Sequence, residues 1–414
     1  CTVLSTVLAM SSTAALNTSA YADSANTQQV SYNYWYNSST GYTDENVHTR
    51  QMEKLDRGLI AIKTDGGVYL SWRLFDSEDN IFGSADKNVS FNVYRDGKKI
   101  SEVATKTNYV DSTVGTNYSV APVINGVEGE KCDAVTVYNN SYFDIPLSKP
   151  DDETIYDPSG NELATYSFFP ADCSTGDVDG DGEYEIIVKW TSSEHDVGSP
   201  GDPAYSGTIH LAAYKLDGTK LWKNDIALGK NVYSSAHTLQ FLVYDFDGDG
   251  KSEVMCQTSL GSKDGQGEYV SNAAQTDEEI KAITDEENST ADYRGYGRIT
   301  EGKEFLTVFN GETGVAMDTI NLPTTRGSEN GVDYGDDFGN RSNRFVSDIA
   351  YLDGEKPYAI YLRGYYFGRN GKQRTSIAGI SWDGTALSPT YRFDTQKGQE
   401  GYYDGAYQYV GNGN

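Results

Sequence analysis

The sequence predicts an all-β protein in two parts, a small β-sandwich followed by part of a β-propeller. Three observations carry this expectation. Short runs rich in Val, Ile, Phe, Tyr and Trp recur along the chain, bounded by Gly, Asn and Asp. An acidic, glycine-bent loop that runs into an apolar strand begins at Asp177 and again at Asp245, with a degenerate third copy from Asp348. Helical periodicity is nearly absent, the exception being Thr276 to Asp285, which falls inside an insertion.

Taken in order, residues 1–22 read as a partial signal peptide. Val3 to Leu8 and the Ala-rich stretch after them form a short apolar region, and Ala20-Tyr21-Ala22 fits the small-x-small cleavage pattern. A secreted, extracellular protein is the expectation, and the absence of Met and of a basic segment at the start suggests that the sequence is cut at its front. Residues 23–48, rich in Ser, Asn, Thr and Tyr without periodicity, read as a linker or extended lead-in. Residues 49–148 carry the β-rich runs Val68–Trp72, Val89–Tyr94, Tyr118–Val120 and Ala134–Val137, with Arg95-Asp96-Gly97-Lys98 as a tight hairpin turn. This pattern is similar to fibronectin type III domains.

Residues 149–414 form the repeat. Asp177-Val178-Asp179-Gly180-Asp181-Gly182 leads into Glu185–Val188, Asp245-Phe246-Asp247-Gly248-Asp249-Gly250 into Glu253–Met255, and Asp348–Gly354 into Tyr358–Tyr361. Each unit closes with a hairpin, at Ala213–Gly218, Leu306–Gly311 and Gly379–Gly384. Strand-rich units at long, uneven spacing are the signature of propeller blades with insertions. Three blades fall short of the roughly four that a ring requires, so further sequence is expected beyond Asn414.

The 61 Asp and Glu outweigh the 33 Lys and Arg, for a net charge of −28. Such a surface repels nucleic acid and anionic membranes, so neither is an expected partner. After signal cleavage Cys132, Cys173 and Cys256 remain, an odd and sparse set that makes no disulfide framework. Part of the acid has a more specific use. Carboxylates at positions one, three and five with Gly at six reproduce the first half of an EF-hand loop. The second half departs from it: position twelve is Val188 or Cys256, and Glu185 and Glu253 stand at position nine before a strand. That excludes a true EF-hand and a dockerin. Asp177, Asp179, Asp181 and Glu185, and likewise Asp245, Asp247, Asp249 and Glu253, are therefore the expected ligands of two Ca²⁺ ions, because carboxylates this dense repel one another without a cation.

Several stretches together resemble the rhamnogalacturonan lyases whose scaffold is an eight-bladed propeller. They are Arg50–Leu59, Ser71-Trp72-Arg73-Leu74, Phe91–Gly97, Gly176–Gly182 with Lys189-Trp190, and Ala236-His237 with Gln240-Phe241. Gly335-Asp336, Gly339-Asn340-Arg341, Arg344-Phe345 and Arg363-Gly364-Tyr365-Tyr366 complete them, so the resemblance runs from residue 50 to 414. It departs where the family usually has a Pro-Ser-Asn loop and this chain reads Thr191-Ser192-Ser193-Glu194-His195-Asp196. Gly411-Asn412-Gly413-Asn414 looks like the start of a family motif whose next residue is His, so the resemblance implies catalytic groups beyond Asn414 and a chain inactive by itself.

The resemblance implies a Ca²⁺-dependent lyase that cleaves rhamnogalacturonan I, an acidic plant polysaccharide, by β-elimination, acting as a monomer. A pectin-binding propeller without catalysis is the alternative, and an integrin-like adhesion propeller is a further one. Candidate substrate contacts are His237 just before the second acidic loop, Arg341, Arg344 and Arg363 in Gly- or Asn-rich turns as forks for galacturonate carboxylates, and Tyr365 with Tyr366 as stacking rings. His48, His195 and His210 read as structural or surface residues.

Overall fold

A computed structural model describes residues 27–31 and 47–396, apart from 76–77, 79–87, 157–160, 193–206, 229–231, 233–237, 271–293, 296–297, 300–301, 366–373 and a few single positions. The residues 276–285 with the helical pattern, His237, Tyr366 and the signal and C-terminal segments lie outside the described residues. The chain divides into two compact units, one ending at Ile145 and including Asp353–Lys356, the other formed by Pro146–Leu352 and the residues from Pro357 on. Almost all regular structure is strand, as the sequence predicts.

In the first unit, β1 (Thr27–Ser31) pairs antiparallel with β2 (Val47–Gln51). Both strands fall in or touch the stretch read as a linker, so part of that stretch is a two-stranded ladder. A three-stranded sheet holds β3 (Ile60–Thr64) and β4 (Gly67–Ser71) with β7 (Asn108–Asp111). The second sheet is built from β5 (Val89–Arg95), β6 (Lys98–Ala104), β8 (Asn117–Ile124), β9 (Val127–Glu128) and β10 (Val135–Thr136). Asp96 at φ 47° and Gly97 at φ 77° close the β5–β6 hairpin in two residues, the geometry an Asp-Gly turn favours. Ala61, Val68, Leu70 and Trp72 from one sheet pack with Phe91, Val93, Tyr118 and Val120 from the other. The alternation of apolar and polar side chains along each strand is what gives each sheet one inward face. At Gly67 (φ 125°) a Cβ would lie 2.0 Å from the Asp111 carbonyl oxygen, so only glycine lets β4 and β7 approach there.

The second unit begins with the hairpin of β11 (Glu153–Tyr156) and β12 (Glu162–Tyr166). Three four-stranded antiparallel sheets follow. The first is β13 (Phe168–Gly176), β14 (Glu185–Ser192), β15 (His210–Tyr214) and β16 (Ile226–Ala227). The second contains β17 (Phe241–Tyr244) and β18 (Glu253–Ser259); after the short β19 (Arg294–Gly295) and β20 (Arg298–Ile299) pair, it is completed by β21 (Glu304–Phe309) and β22 (Ala316–Asn321). The third is β23 (Phe345–Ala350), β24 (Tyr358–Arg363), β25 (Ser376–Trp382) and β26 (Leu387–Asp394).

These sheets stack through two cores, and the strands of the middle sheet serve both. Phe241, Val243, Val254 and Cys256 pack toward Ile187, Leu211 and Trp222 of the first sheet. Their neighbours Leu242, Tyr244 and Met255 pack toward Ala359, Tyr361 and Ile380 of the third. A strand buried on both faces reads as a continuous apolar run, as Phe241–Tyr244 and Val254–Cys256 do. The unit is thus a series of face-stacked meanders. In each, the acidic loop joins the first strand to the second and the predicted Asp-Gly or Asn-Gly turn joins the third to the fourth or lies just beyond the third. Cys132, Cys173 and Cys256 are free thiols. Among the described residues no helix is long and apolar enough to cross a membrane.

Candidate metal loops and substrate rim

The two acidic loops fold alike. In the first, the Asp177 carboxylate accepts the N–H groups of Gly180 (2.8 Å) and Gly182 (3.0 Å) through its two oxygens. In the second, Asp245 accepts Gly248 (2.7 Å) and Gly250 (3.0 Å) in the same way. The four glycines lie at φ between 80° and 93°, which turns their N–H groups toward the carboxylate at little steric cost. Glu185 accepts Val178 N–H at 3.0 Å and Glu253 accepts Phe246 N–H at 2.9 Å, tying the start of the second strand back over the loop.

The consequence is two carboxylate triads, Asp177–Asp179–Glu185 and Asp245–Asp247–Glu253, each offering oxygens within 4.8 Å of one another. Glu185, Asp245 and Glu253 are buried. Burial pushes Glu253 up to about 9 and Asp245 up to about 7, with the neighbouring loop carboxylates adding to the rise and the backbone N–H donors opposing it. Burial likewise lifts Glu185 to about 7. Buried carboxylates held this close are an all-oxygen donor set that fits a hard divalent cation such as Ca²⁺ and offers nothing to a thiophilic metal.

The position-five carboxylates stand apart from the triads. Asp181 accepts the Glu183 N–H (2.9 Å) and pairs with Lys215 (2.9 Å), while Asp249 accepts the Lys251 N–H (2.8 Å). Each closes an Asx turn over the residue two further on, and both are exposed. The first loop also has a cation of its own. Lys215 places its ammonium 2.6 Å from Asp179 in the first loop.

The substrate candidates lie at the other end of the sheets. Strand direction requires this for the third sheet: Phe345 opens β23 and pairs with Arg363 at the end of β24, whereas the acidic turn joins Ala350 to Tyr358. Arg341 directs its guanidinium to the Gly335 carbonyl (3.2 Å) and approaches Asp336 at 3.9 Å. Arg344 donates through Nε to Asn340 (3.0 Å), and Tyr365 is exposed.

Arg363 differs from the sequence expectation. It is the last residue of a strand rather than part of a turn, and it is fully buried. Its guanidinium donates to both Glu304 oxygens (2.9 and 2.7 Å), to the Thr324 carbonyl (2.8 Å) and to the Ser342 carbonyl (2.5 Å). A fork so engaged has no face left to offer a sugar carboxylate, so Arg363 shapes the rim from beneath instead of clamping substrate.

Sequence reading missed its partners. Glu304 also takes Arg326 at 2.7 Å. Burial raises the Glu304 carboxyl, but the two guanidiniums more than offset that and hold it below its ordinary value. Beside this group Arg374 pairs with Asp394 (2.7 Å), and the Tyr334 ring lies between Arg363 and Arg374, 5.4 and 5.0 Å from their guanidinium carbons. Lys189, buried within β14, donates to the Thr238 and Leu239 carbonyls, both at 3.2 Å. Leu239 is held there at φ 51°, a conformation that costs a leucine on the order of 1 kcal/mol. A charged residue inside an apolar run, as in Glu185–Trp190, was the available signal for that clamp. His210, read as structural, packs edge-on against Phe168 at 4.9 Å.

A family model described as rhamnogalacturonan lyase family 11, C-terminal domain, matches residues 142–414. The chain belongs to that family. A second model, the rhamnogalacturonan I lyases beta-sheet domain, matches residues 50–138. Among curated relatives of this lyase family, the rhamnogalacturonan endolyase YesW of Bacillus subtilis is 42% identical over 352 residues, which cover 84% of this chain and 50% of YesW. The rhamnogalacturonan exolyase YesX of the same organism is 40% identical over 360 residues, covering 85% of this chain and 52% of YesX. The crystal structures of YesX and YesW each superpose with a TM-score of 0.66, covering 85% of this chain and 52% and 54% of theirs. A Bacillus licheniformis rhamnogalacturonan lyase structure, at 42% identity, matches equally well over 85% of this chain and 54% of its own. The chain spans about half the length of the curated relatives it matches. The family resemblance and the all-β expectation are both borne out.

Proposed function

We propose that this protein is a secreted rhamnogalacturonan lyase that cleaves the rhamnose–galacturonate backbone of pectin by β-elimination, with calcium held in its two acidic loops and a propeller as its scaffold. The observation that carries this reading is the family match along residues 142–414, and the two curated relatives are a rhamnogalacturonan endolyase and an exolyase. The three stacked four-stranded sheets support the propeller, and the two oxygen triads support calcium.

In β-elimination a base removes the proton from the carbon beside the galacturonate carboxylate. That electron pair becomes the new double bond, and the glycosidic oxygen leaves from the neighbouring carbon. The proton is barely acidic while the carboxylate keeps its full charge, so cationic groups must lie against the carboxylate. A bound divalent cation supplies such charge when it is near the reacting carbon. The acidic loops lie at the end of the sheets opposite the rim of Arg341, Arg344 and Tyr365, which suits them to holding the scaffold. At that rim Arg341 and Arg344, both half-buried and anchored to backbone and Asn340, present preorganised guanidiniums to an acidic chain. The Glu304–Arg363–Arg326 group beneath them fixes the segment between β22 and β23 on which they stand.

Digestion of rhamnogalacturonan I in heavy-oxygen water tests the reaction type. Elimination puts no solvent oxygen into the new ends and leaves one product lighter by one water. Incorporation of solvent oxygen would indicate a hydrolase, and binding without cleavage would favour the pectin-binding module.

A further inference from the structure

We propose a second, non-catalytic site for acidic oligosaccharide on the outer edge of the first four-stranded sheet. The inference rests on the reading that the protein acts on a galacturonate-containing polymer. A cleft of about 720 Å³, within the size range of small-ligand sites, opens between the Ser148–Glu153 segment, the edge strand β16 and the Gly261–Gly267 turn. In a chain of net charge −28, four lysines line it: Lys149, Lys220, Lys223 and Lys263.

Two of these are committed to internal pairs, Lys149 with Asp152 and Lys220 with Asp225, each at 2.5 Å. The other two have no carboxylate partner among the described residues. Lys223 is exposed, and Lys263 holds its ammonium 4.8 Å from the centre of the Tyr269 ring. On the acidic side, Glu153 is taken up by the Thr208 N–H (2.6 Å) and hydroxyl (3.0 Å). Asp151 is the one lining carboxylate without such a partner among the described residues. The lining as a whole is balanced, its four lysines standing against Asp151, Asp152, Glu153 and Asp225, so in a strongly acidic molecule this cleft carries no net negative charge, and Lys223 and Lys263 are the ammonium groups in it that no described carboxylate takes up.

Both ammonium groups stand on rigid backbone. Lys223 follows Trp222, which is buried and donates its indole N–H to the Gly311 carbonyl at 2.7 Å. Next to Lys223, the Asn224 N–H reaches the Gly265 carbonyl at 2.9 Å. Lys263 exchanges both backbone hydrogen bonds with Ala227 of β16, at 2.7 and 2.9 Å, so the turn that carries it is bridged to the edge of the first sheet. Two ammonium groups on anchored backbone and the amide of Asn224 suit a uronate, with its carboxylates for the ammonium groups and its hydroxyls for the amide, while the Tyr269 ring steadies Lys263. A site of this kind holds the polymer while its backbone is cut at the rim, and so raises the effective concentration of cleavable bonds.

The test uses the full chain in calcium, with isothermal titration of a saturated oligogalacturonate into the wild type, the Lys223→Glu/Lys263→Glu double variant and the Lys223→Arg/Lys263→Arg double variant. Melting temperatures serve as the folding control, and lyase rates on short rhamnogalacturonan fragments and on polymer are read in parallel. The Glu pair is expected to weaken binding by about tenfold or more, the loss of two charge-assisted contacts, while the Arg pair retains it. Rates on short fragments stay unchanged and the KM for polymer rises. Binding equal to wild type in a folded Glu variant overturns the proposal, as does an active wild type that binds no oligogalacturonate. Charge-dependent binding in a wild type that releases no unsaturated product leaves the cleft standing and sinks the lyase reading instead.

Discussion

Removing calcium from this protein should reverse the sign of its pH-stability profile. Without a cation, burial and mutual repulsion raise Glu253 to about 9 and Asp245 to about 7 in the folded chain. Unfolded, the same groups ionise near 4.5 and 3.8. A carboxyl raised by folding contributes stability that is fully present below its unfolded pKa and is lost as pH climbs through its folded pKa. The window is therefore roughly pH 4.5 to 9. The two groups share one cage and titrate together, so the larger shift bounds the pair, and the loss across the window is on the order of 5 kcal/mol. For a unit of this size that corresponds to a fall of about 10 °C or more in melting temperature. With calcium bound the ionised form is the ligand, so the profile turns over: stability is gained as the carboxylates deprotonate, and each site adds roughly 2.7 kcal/mol when free calcium is a hundredfold above its dissociation constant. Differential scanning calorimetry from pH 5 to 9, in excess chelator and in calcium, reads both limbs. A chelated protein whose melting temperature is flat or rises with pH would refute the assignment of these triads as metal cages.

Three further comparisons separate the structural claims. Asp179→Ala and Asp247→Ala should each lower the melting temperature in calcium more than Asp217→Ala, because Asp217 only closes an exposed turn onto the Thr219 N–H; equal melts for all three would count against the cages. Glu304→Gln leaves Arg363 and Arg326 without their shared carboxylate and should cost about 3–5 kcal/mol by urea titration, a loss under about 1 kcal/mol being the contrary result. Lys189→Met removes the donor that holds the Thr238 and Leu239 carbonyls and should cost about 1–3 kcal/mol, with faster amide exchange through residues 238–241 as the local signature. Unchanged exchange there would mean that the clamp holds nothing.

Much of this architecture is legible in the residues because local chemistry and global fold agree. Asp96-Gly97 can hardly form anything but a tight hairpin turn, and its φ values bear that out. Phe241–Tyr244 and Val254–Cys256 of the middle sheet read as unbroken apolar runs because both their faces are buried. The acidic loops were visible from spacing, yet which of their carboxylates converge was not. Alternation along the loop puts positions one, three and five on an equal footing, but Gly182 and Gly250 turn their N–H groups onto the first carboxylate, and the fifth is left to cap the chain two residues on. Arg363 misled for a different reason. The glycine after it suggested a turn, while the property that decides its role, the carboxylate of Glu304, comes from a strand 59 residues away in sequence. A pairing at that separation leaves no local trace. The ladder of β1 and β2 escaped notice likewise, since strands made of polar residues with a single Val each carry no apolar alternation.

The central claim is that this fold serves elimination, and the ultraviolet absorbance of the product tests it most directly. The full-length protein, incubated with rhamnogalacturonan I in calcium, should produce a steady rise from the double bond conjugated to the uronate carboxylate, matched in amount by new reducing ends. Reducing ends that accumulate without that absorbance would contradict it.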